Sequence, residues 1–158
     1  VSKFFVLALP RSRTYWLSKF LGCMHDGLFY YPDYSEFMES DYSGDSTTCY
    51  LQVRNFVENH RKVVIHRDIK EVVESLHGIF GDVDLTFLDE AQQGLKNEHG
   101  ALHVDFNDID ERIEEIWRYC INAEFPVARY MKMKDQILNN DYMIEEVRKC
   151  LSRTNSLI

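Results

Sequence analysis

Phe4-Phe5-Val6-Leu7-Ala8-Leu9-Pro10-Arg11-Ser12-Arg13-Thr14-Tyr15-Trp16-Leu17-Ser18-Lys19-Phe20-Leu21 decides how this chain folds. Its first six residues, Phe4–Leu9, are apolar without alternation. That is the pattern of a parallel strand buried on both faces. Pro10-Arg11-Ser12-Arg13 interrupts the run. Thr14–Met24 then reads as a helix, with Trp16, Leu17, Phe20 and Leu21 at spacings of one, three and four. Strand, short loop and helix make the front half of a βαβ unit.

Working outward, Lys62–His66 reads as a second strand. Ile69–Phe80 follows as a helix whose apolar face is Val72, Val73, Leu76, Ile79 and Phe80, with Gly78 and Gly81 weakening its far end. Ala101–Phe106 reads as a third strand. Gly27–Tyr31 is a short strand or a loop, and Pro32–Gly44 is an acidic, turn-rich surface crossing. A helix is expected from Asp45 to about Asn59. Asp84 caps another that reaches Glu98 and stops at Gly100. Asp108 and Glu111 form a D-x-x-E capping pair ahead of Ile113, Ile116, Trp117 and Cys120. Pro126 suits the first turn of a further helix. Asp141 caps a last one carrying Ile144, Val147 and Leu151, and Ser152–Ile158 is a frayed tail. The expected fold is a single α/β domain over residues 1–158, a three-layer doubly wound parallel sheet.

The chain has 158 residues, 45% apolar and 28% charged, an ordinary globular mixture. Eighteen Lys and Arg against 26 Asp and Glu give a formal net charge of -8. This argues against a protein held mainly by a nucleic-acid backbone. A small anionic ligand is still allowed, because a few local cations can dominate a pocket. The apolar start is too short for a membrane span and is not read as a secretion signal. Cys23, Cys49, Cys120 and Cys150 are scattered, without C-x-x-C or zinc spacing, so free thiols in a reducing cytoplasm are expected.

In an open parallel sheet, ligands gather beyond the carboxyl ends of the strands. The loop Pro10–Arg13 lies there, and the amides that open the following helix are a ready anion site. Ser12, Thr14 and Tyr15 add hydroxyls, and Arg11 and Arg13 add forked cations. The loop has neither the lysine nor the glycines of a Walker A motif, and it is not a G-x-G-x-x-G turn.

Leu9-Pro10-Arg11-Ser12-Arg13-Thr14-Tyr15-Trp16-Leu17 resembles the 5′-phosphosulfate loop of the sulfotransferase family, commonly P-[KR]-S-G-T-[TS]-x-L after the first strand. Arg13 stands where the family has glycine, and Tyr15 where it has threonine or serine. Val63-Val64-Ile65-His66-Arg67-Asp68-Ile69-Lys70-Glu71-Val72-Val73-Glu74-Ser75-Leu76 resembles the family's 3′-phosphate motif, with Ser75 eight residues after Arg67 and Ile69 in place of a common proline. The resemblance implies a P-loop-like fold. It also implies 3′-phosphoadenosine 5′-phosphosulfate (PAPS) as sulfuryl donor, adenosine 3′,5′-bisphosphate as product, and a hydroxyl or amine acceptor. Arg11 would assist the leaving group. Ser12, Arg13, Thr14, Tyr15 and Trp16 would surround the 5′ end, and Arg67 and Ser75 the 3′-phosphate. Arg129 would supply the late basic contact seen in many relatives.

An acceptor hydroxyl must also lose its proton. His25 is the expected base, with Asp26 beside it in sequence and Glu36 a remoter choice. Lys19 reads as a solvated helix residue. Arg129, Lys132 and Lys134 form a basic patch, or a solvated helix face. Tyr30, Tyr31, Tyr34, Phe37 and Tyr42 either line an acceptor pocket or pack a surface loop. The acidic stretch between Asp82 and Glu124 makes a polyanionic acceptor awkward unless basic groups fold together. No metal is expected. The partner is a small-molecule acceptor rather than nucleic acid or membrane, and the short chain leaves its acceptor site open or completed by a homodimer. Two rival readings stand: a nucleotide or nucleoside kinase, and a non-catalytic bisphosphonucleotide-binding module.

Overall fold

The structure, a computed structural model, describes residues 2–82 and 84–138. Five parallel strands form one sheet: β1 (Phe4–Ala8), β2 (Met24–His25), β3 (Gly44–Thr47), β4 (Arg61–His66) and β5 (Leu102–Asp105), in the order β2-β3-β1-β4-β5. Seven helices accompany them among the described residues: α1 (Thr14–Leu21), α2 (Tyr34–Glu39), α3 (Tyr50–Val57), α4 (Ile69–Phe80), α5 (Phe87–Lys96), α6 (Ile113–Ile121) and α7 (Val127–Met133).

The alternation of side chains along β1 builds the two outer layers. Phe5, Leu7 and Leu9 enter one core with buried residues of α2, α3, α4 and α5. Phe4, Val6 and Ala8 enter the other with α1 and α6, and α7 packs at its margin. β4 divides in the same way, Val64 to the first core and Val63 and Ile65 to the second. The continuous apolar reading of these strands is this two-sided burial.

β1 is therefore followed by a helix on one face, and its neighbours β3 and β4 by helices on the other. The carboxyl end of β1 is a topological switch point, where the diverging connections leave a crevice. The loop after β1 and Arg67 after β4 both lie at that end of the sheet.

Four expectations are corrected. Asp45 does not open a helix. It lies in β3, paired beside β1, and the helix starts at Tyr50. β3 reads Gly-Asp-Ser-Thr, all buried, and lacks the apolar signal because its side chains meet polar partners rather than oil. Residues 32–44 are more than a surface crossing. Asp33 caps α2 by accepting from the Ser35 N–H, and α2 drives Tyr34 and Phe37 into the core. The first helix ends at Leu21, where Gly22 takes a left-handed φ of 71° and its N–H closes on Ser18. Met24 and His25 then form the edge strand β2. Finally, Asp108 and Glu111 do not act as a capping pair. α6 starts at Ile113 without a side-chain cap, and Asp105 instead caps the short 3-10 turn Phe106–Asp108. The expected helix from Asp141 and the tail lie outside the described residues.

Candidate anion and acceptor site

The loop after β1 holds a shape that its composition resists. Arg11 and Arg13 adopt φ of 64° and 62°, the left-handed region that favours glycine. Arg13 is the N-cap of α1, and its carbonyl accepts from Leu17 N–H at 2.9 Å. Its guanidinium turns outward, 3.0 Å from Asp110 and 4.3 Å above the Trp16 ring. Trp16 is buried and donates its indole N–H to the Met133 carbonyl at 2.8 Å. Neither side chain joins the other loop cations.

Arg11, Arg67 and Ser75 do come together. Arg11 Nε donates to Ser75 Oγ at 3.1 Å, and Arg67 Nη1 donates to the Arg11 carbonyl. Arg67 also stacks 4.0 Å over the Phe106 ring and approaches Glu71 at 3.4 Å. Burial, and then the charge of Arg67, hold Arg11 below the usual guanidinium range. An anion between the two forks would relieve both costs. Ser12 Oγ is fully buried and has no hydrogen-bond partner among the described residues, an unmet polar group within the same turn.

On the β2 side, Thr14 Oγ1 faces His25 Nε2 at 3.2 Å, and Asp26 Oδ2 lies 3.5 Å from the same nitrogen. Adjacent residues seldom face each other. They do here because Asp26 takes a left-handed φ of 47°, which turns its carboxylate back toward β3. There Oδ1 accepts the Thr48 N–H at 2.7 Å and the Thr47 and Thr48 hydroxyls at 3.2 Å. Asp45, also fully buried, accepts Gly27 N–H on both oxygens and the Tyr34 hydroxyl at 3.0 Å. Desolvation, then the Asp26 charge, raise the Asp45 carboxyl to about 7. Sequence reading weighed Asp26 but missed Asp45, since no local pattern reveals partners on other strands.

His25 lines a cavity of about 290 Å³ with Tyr15, Lys19, Tyr30 and Tyr42. Tyr15 and Lys19 also wall an adjoining cavity of about 640 Å³, where Arg129 and Lys132 project from α7. Arg129 Nη1 donates to the Phe20 carbonyl at 3.0 Å, away from the Arg11 cluster. A third cavity, about 300 Å³, opens beyond β4 and β5 beside Arg67 and Lys96. His66 stands at its edge. His103 Nε2 lies 2.8 Å from the Glu98 carbonyl, which can only accept, so His103 Nδ1 accepts the His66 Nε2 proton at 2.7 Å. Burial and its partner imidazole lower the His66 pKa, and the stacked pair joins β4 to β5.

Among the described residues, no group of three or more His, Cys, Asp or Glu could hold a metal, and no helix is long and apolar enough to cross a membrane. The chain matches no family model, no curated protein and no solved structure, so the site stands on its own geometry.

Proposed function

We propose that this chain is a sulfotransferase that moves the sulfuryl group of PAPS to a small acceptor hydroxyl or amine. One observation carries the reading. Two arginines and a serine, far apart in sequence, meet beside the start of α1 at the switch point of the sheet, where helix amides suit an anion. The φ of 62° at Arg13 adds support, because the family has glycine there. The donor supplies an activated sulfuryl group. The amides at the start of α1 and Ser12 suit its 5′ end, Arg67 and Ser75 its 3′-phosphate. Arg11, between them, suits the charge that grows on the leaving oxygen. Arg13, Trp16 and Arg129, engaged elsewhere, and Tyr15, which lines the His25 cavity, leave the predicted donor-binding set. The third cavity, next to Arg67, suits the nucleoside.

In the transfer, the acceptor oxygen bonds to sulfur while the bond from sulfur to the bridging phosphate oxygen breaks. The leaving bisphosphate keeps that electron pair. His25, whose Nε2 faces Thr14 and Asp26 and whose ring lines the inner cavity, is the group that takes the acceptor proton. This reading brings a small-molecule acceptor and a cytoplasmic setting, and calls for neither nucleic acid nor membrane. A kinase reading lacks a loop lysine.

Calorimetric titration with adenosine 3′,5′-bisphosphate, against 5′-AMP and magnesium–ATP, tests the donor. The bisphosphate should bind at least about tenfold tighter than 5′-AMP. Arg67→Ala should erase most of that preference. Preference for magnesium–ATP, or no binding, rejects the proposal. Bisphosphate binding without turnover over an acceptor screen with PAPS leaves the non-catalytic module.

A further inference from the structure

The two adjoining cavities on the α1 side have an unexpected charge. The whole chain is acidic, with a formal net charge of -8. Yet their walls carry Lys19, Arg129 and Lys132 and no carboxylate among the described residues. None of the three cations makes an ion pair among the described residues. They come from α1 and α7, elements remote in sequence that the fold sets side by side. Lys19 is shared by both cavities, and its Nζ sits 5.2 Å over the Tyr15 ring.

The inner cavity has a different character. Tyr15, Tyr30 and Tyr42 present rings, Met24 a polarizable thioether, and His25 the basic group proposed above. Tyr30 and Tyr42 are about half exposed and form its rim. Ser18 Oγ is spent on the Tyr15 carbonyl at 2.6 Å. Such a wall suits a planar ring and offers few partners for the many hydroxyls of a sugar.

We infer that this composite shelf binds a hydroxyaryl acid, its ring in the cavity lined by Tyr15, His25, Tyr30 and Tyr42 and its anionic group on Lys19, Arg129 and Lys132. The acidic balance of the chain still allowed a small anionic ligand where a few cations gather, and here three do. Calling the ligand an acceptor rests on the transferase reading. Its binding does not, because the shelf contains none of Arg11, Arg67 or Ser75.

Three probes share one phenol and differ in charge: 4-hydroxyphenylacetate, 4-hydroxyphenylacetamide and tyramine. Each is titrated into the full chain without donor and followed by NMR chemical shifts. The acetate should bind at least about fivefold tighter than the amide at low salt, with tyramine weakest. Raised salt should shrink the difference. Lys19→Gln and Lys132→Gln, both at exposed positions, should each weaken the acetate and leave the amide unchanged, and Lys132→Arg should restore binding. Equal affinity for the three probes, no binding of any, or an acetate affinity indifferent to both glutamine variants overturns the inference. A parallel titration with adenosine 3′,5′-bisphosphate separates the two proposals. Acid binding without bisphosphate binding keeps the shelf and removes the transferase. The reverse keeps the donor site and removes the shelf.

Discussion

Asparagine at position 45 should reverse the order of stability between acid and alkali. Asp45 is fully buried, and desolvation followed by the Asp26 charge raises its carboxyl from 3.8 to about 7. Between those two values the folded chain holds a proton that the unfolded chain has released. Unfolding then releases it, so stability falls as pH rises through the window. It is level below the unfolded value and again above the folded one. The slope reaches about 1.4 kcal/mol per pH unit, and the whole loss is on the order of 4 kcal/mol. Asp45→Asn carries no charge and removes this dependence. It costs something else: Gly27 N–H keeps an oxygen acceptor, but the Tyr34 hydroxyl must reverse to accept from the new amide. That rearrangement costs about 1 kcal/mol. The variant should therefore be less stable by about 1 kcal/mol near pH 4 and more stable by about 3 near pH 8, on these same scales. Urea unfolding followed by the fluorescence of Trp16 and Trp117, both buried, reads this directly. Parallel stability curves for parent and variant across the window would refute the buried-acid reasoning.

Three further outcomes follow from the geometry. Arg11→Ala should cut turnover about 100-fold or more, while affinity for adenosine 3′,5′-bisphosphate falls far less; full activity would remove its role on the leaving oxygen. His25→Gln should lower acceptor-dependent turnover about 100-fold and spare bisphosphate binding, and unchanged kcat would dismiss it as the base. Gly44→Ala would bring a Cβ to 2.0 Å from the Phe4 carbonyl oxygen, so β1 and β3 would have to separate. A loss of about 3 kcal/mol or more in urea unfolding is expected, and a neutral result would mean that the register of this pair is wrong.

Reading the chain succeeded where burial is two-sided and apolar. β1, β4 and α4 were legible because Phe5, Leu7 and Val64 serve one core, Phe4, Val6 and Val63 the other, and Val72 and Leu76 repeat at helical spacing. It failed where burial is polar. Asp45, Ser46 and Thr47 are buried in the middle of the sheet, but each is satisfied by a residue from elsewhere: Gly27 and Tyr34, the Thr14 carbonyl, and Asp26. Nothing in the four residues of β3 announces those partners. The candidate site divides the same way. Arg11, Ser12, Arg67 and Ser75 were legible as motifs on strand–loop–helix units. Of the basic shelf, Arg129 and Lys132 were legible as a patch, but Lys19 was not, because it reads as solvent-facing on its own helix and becomes part of a site only when α7 arrives beside it.

Arg13 remains the departure from the sulfotransferase pattern with the most physical content. A left-handed φ costs a non-glycine residue about 1 kcal/mol, and glycine would avoid it. Two side-chain contacts oppose that cost. The Asp110 pair has an exposed partner and is worth about 0.5 kcal/mol, and the stack on Trp16 adds about 0.5–1 kcal/mol. Glycine would also loosen the unfolded chain by about 0.5–1 kcal/mol. Arg13→Gly should therefore be destabilising by about 0.5–1.5 kcal/mol, despite relieving the backbone. It should not weaken adenosine 3′,5′-bisphosphate binding, because this guanidinium points to Asp110 and away from Arg11 and Arg67. Unchanged or raised stability would mean that the two contacts contribute nothing. A loss of bisphosphate affinity of about tenfold would mean that Arg13 leaves Asp110 and turns to the donor as a third cation.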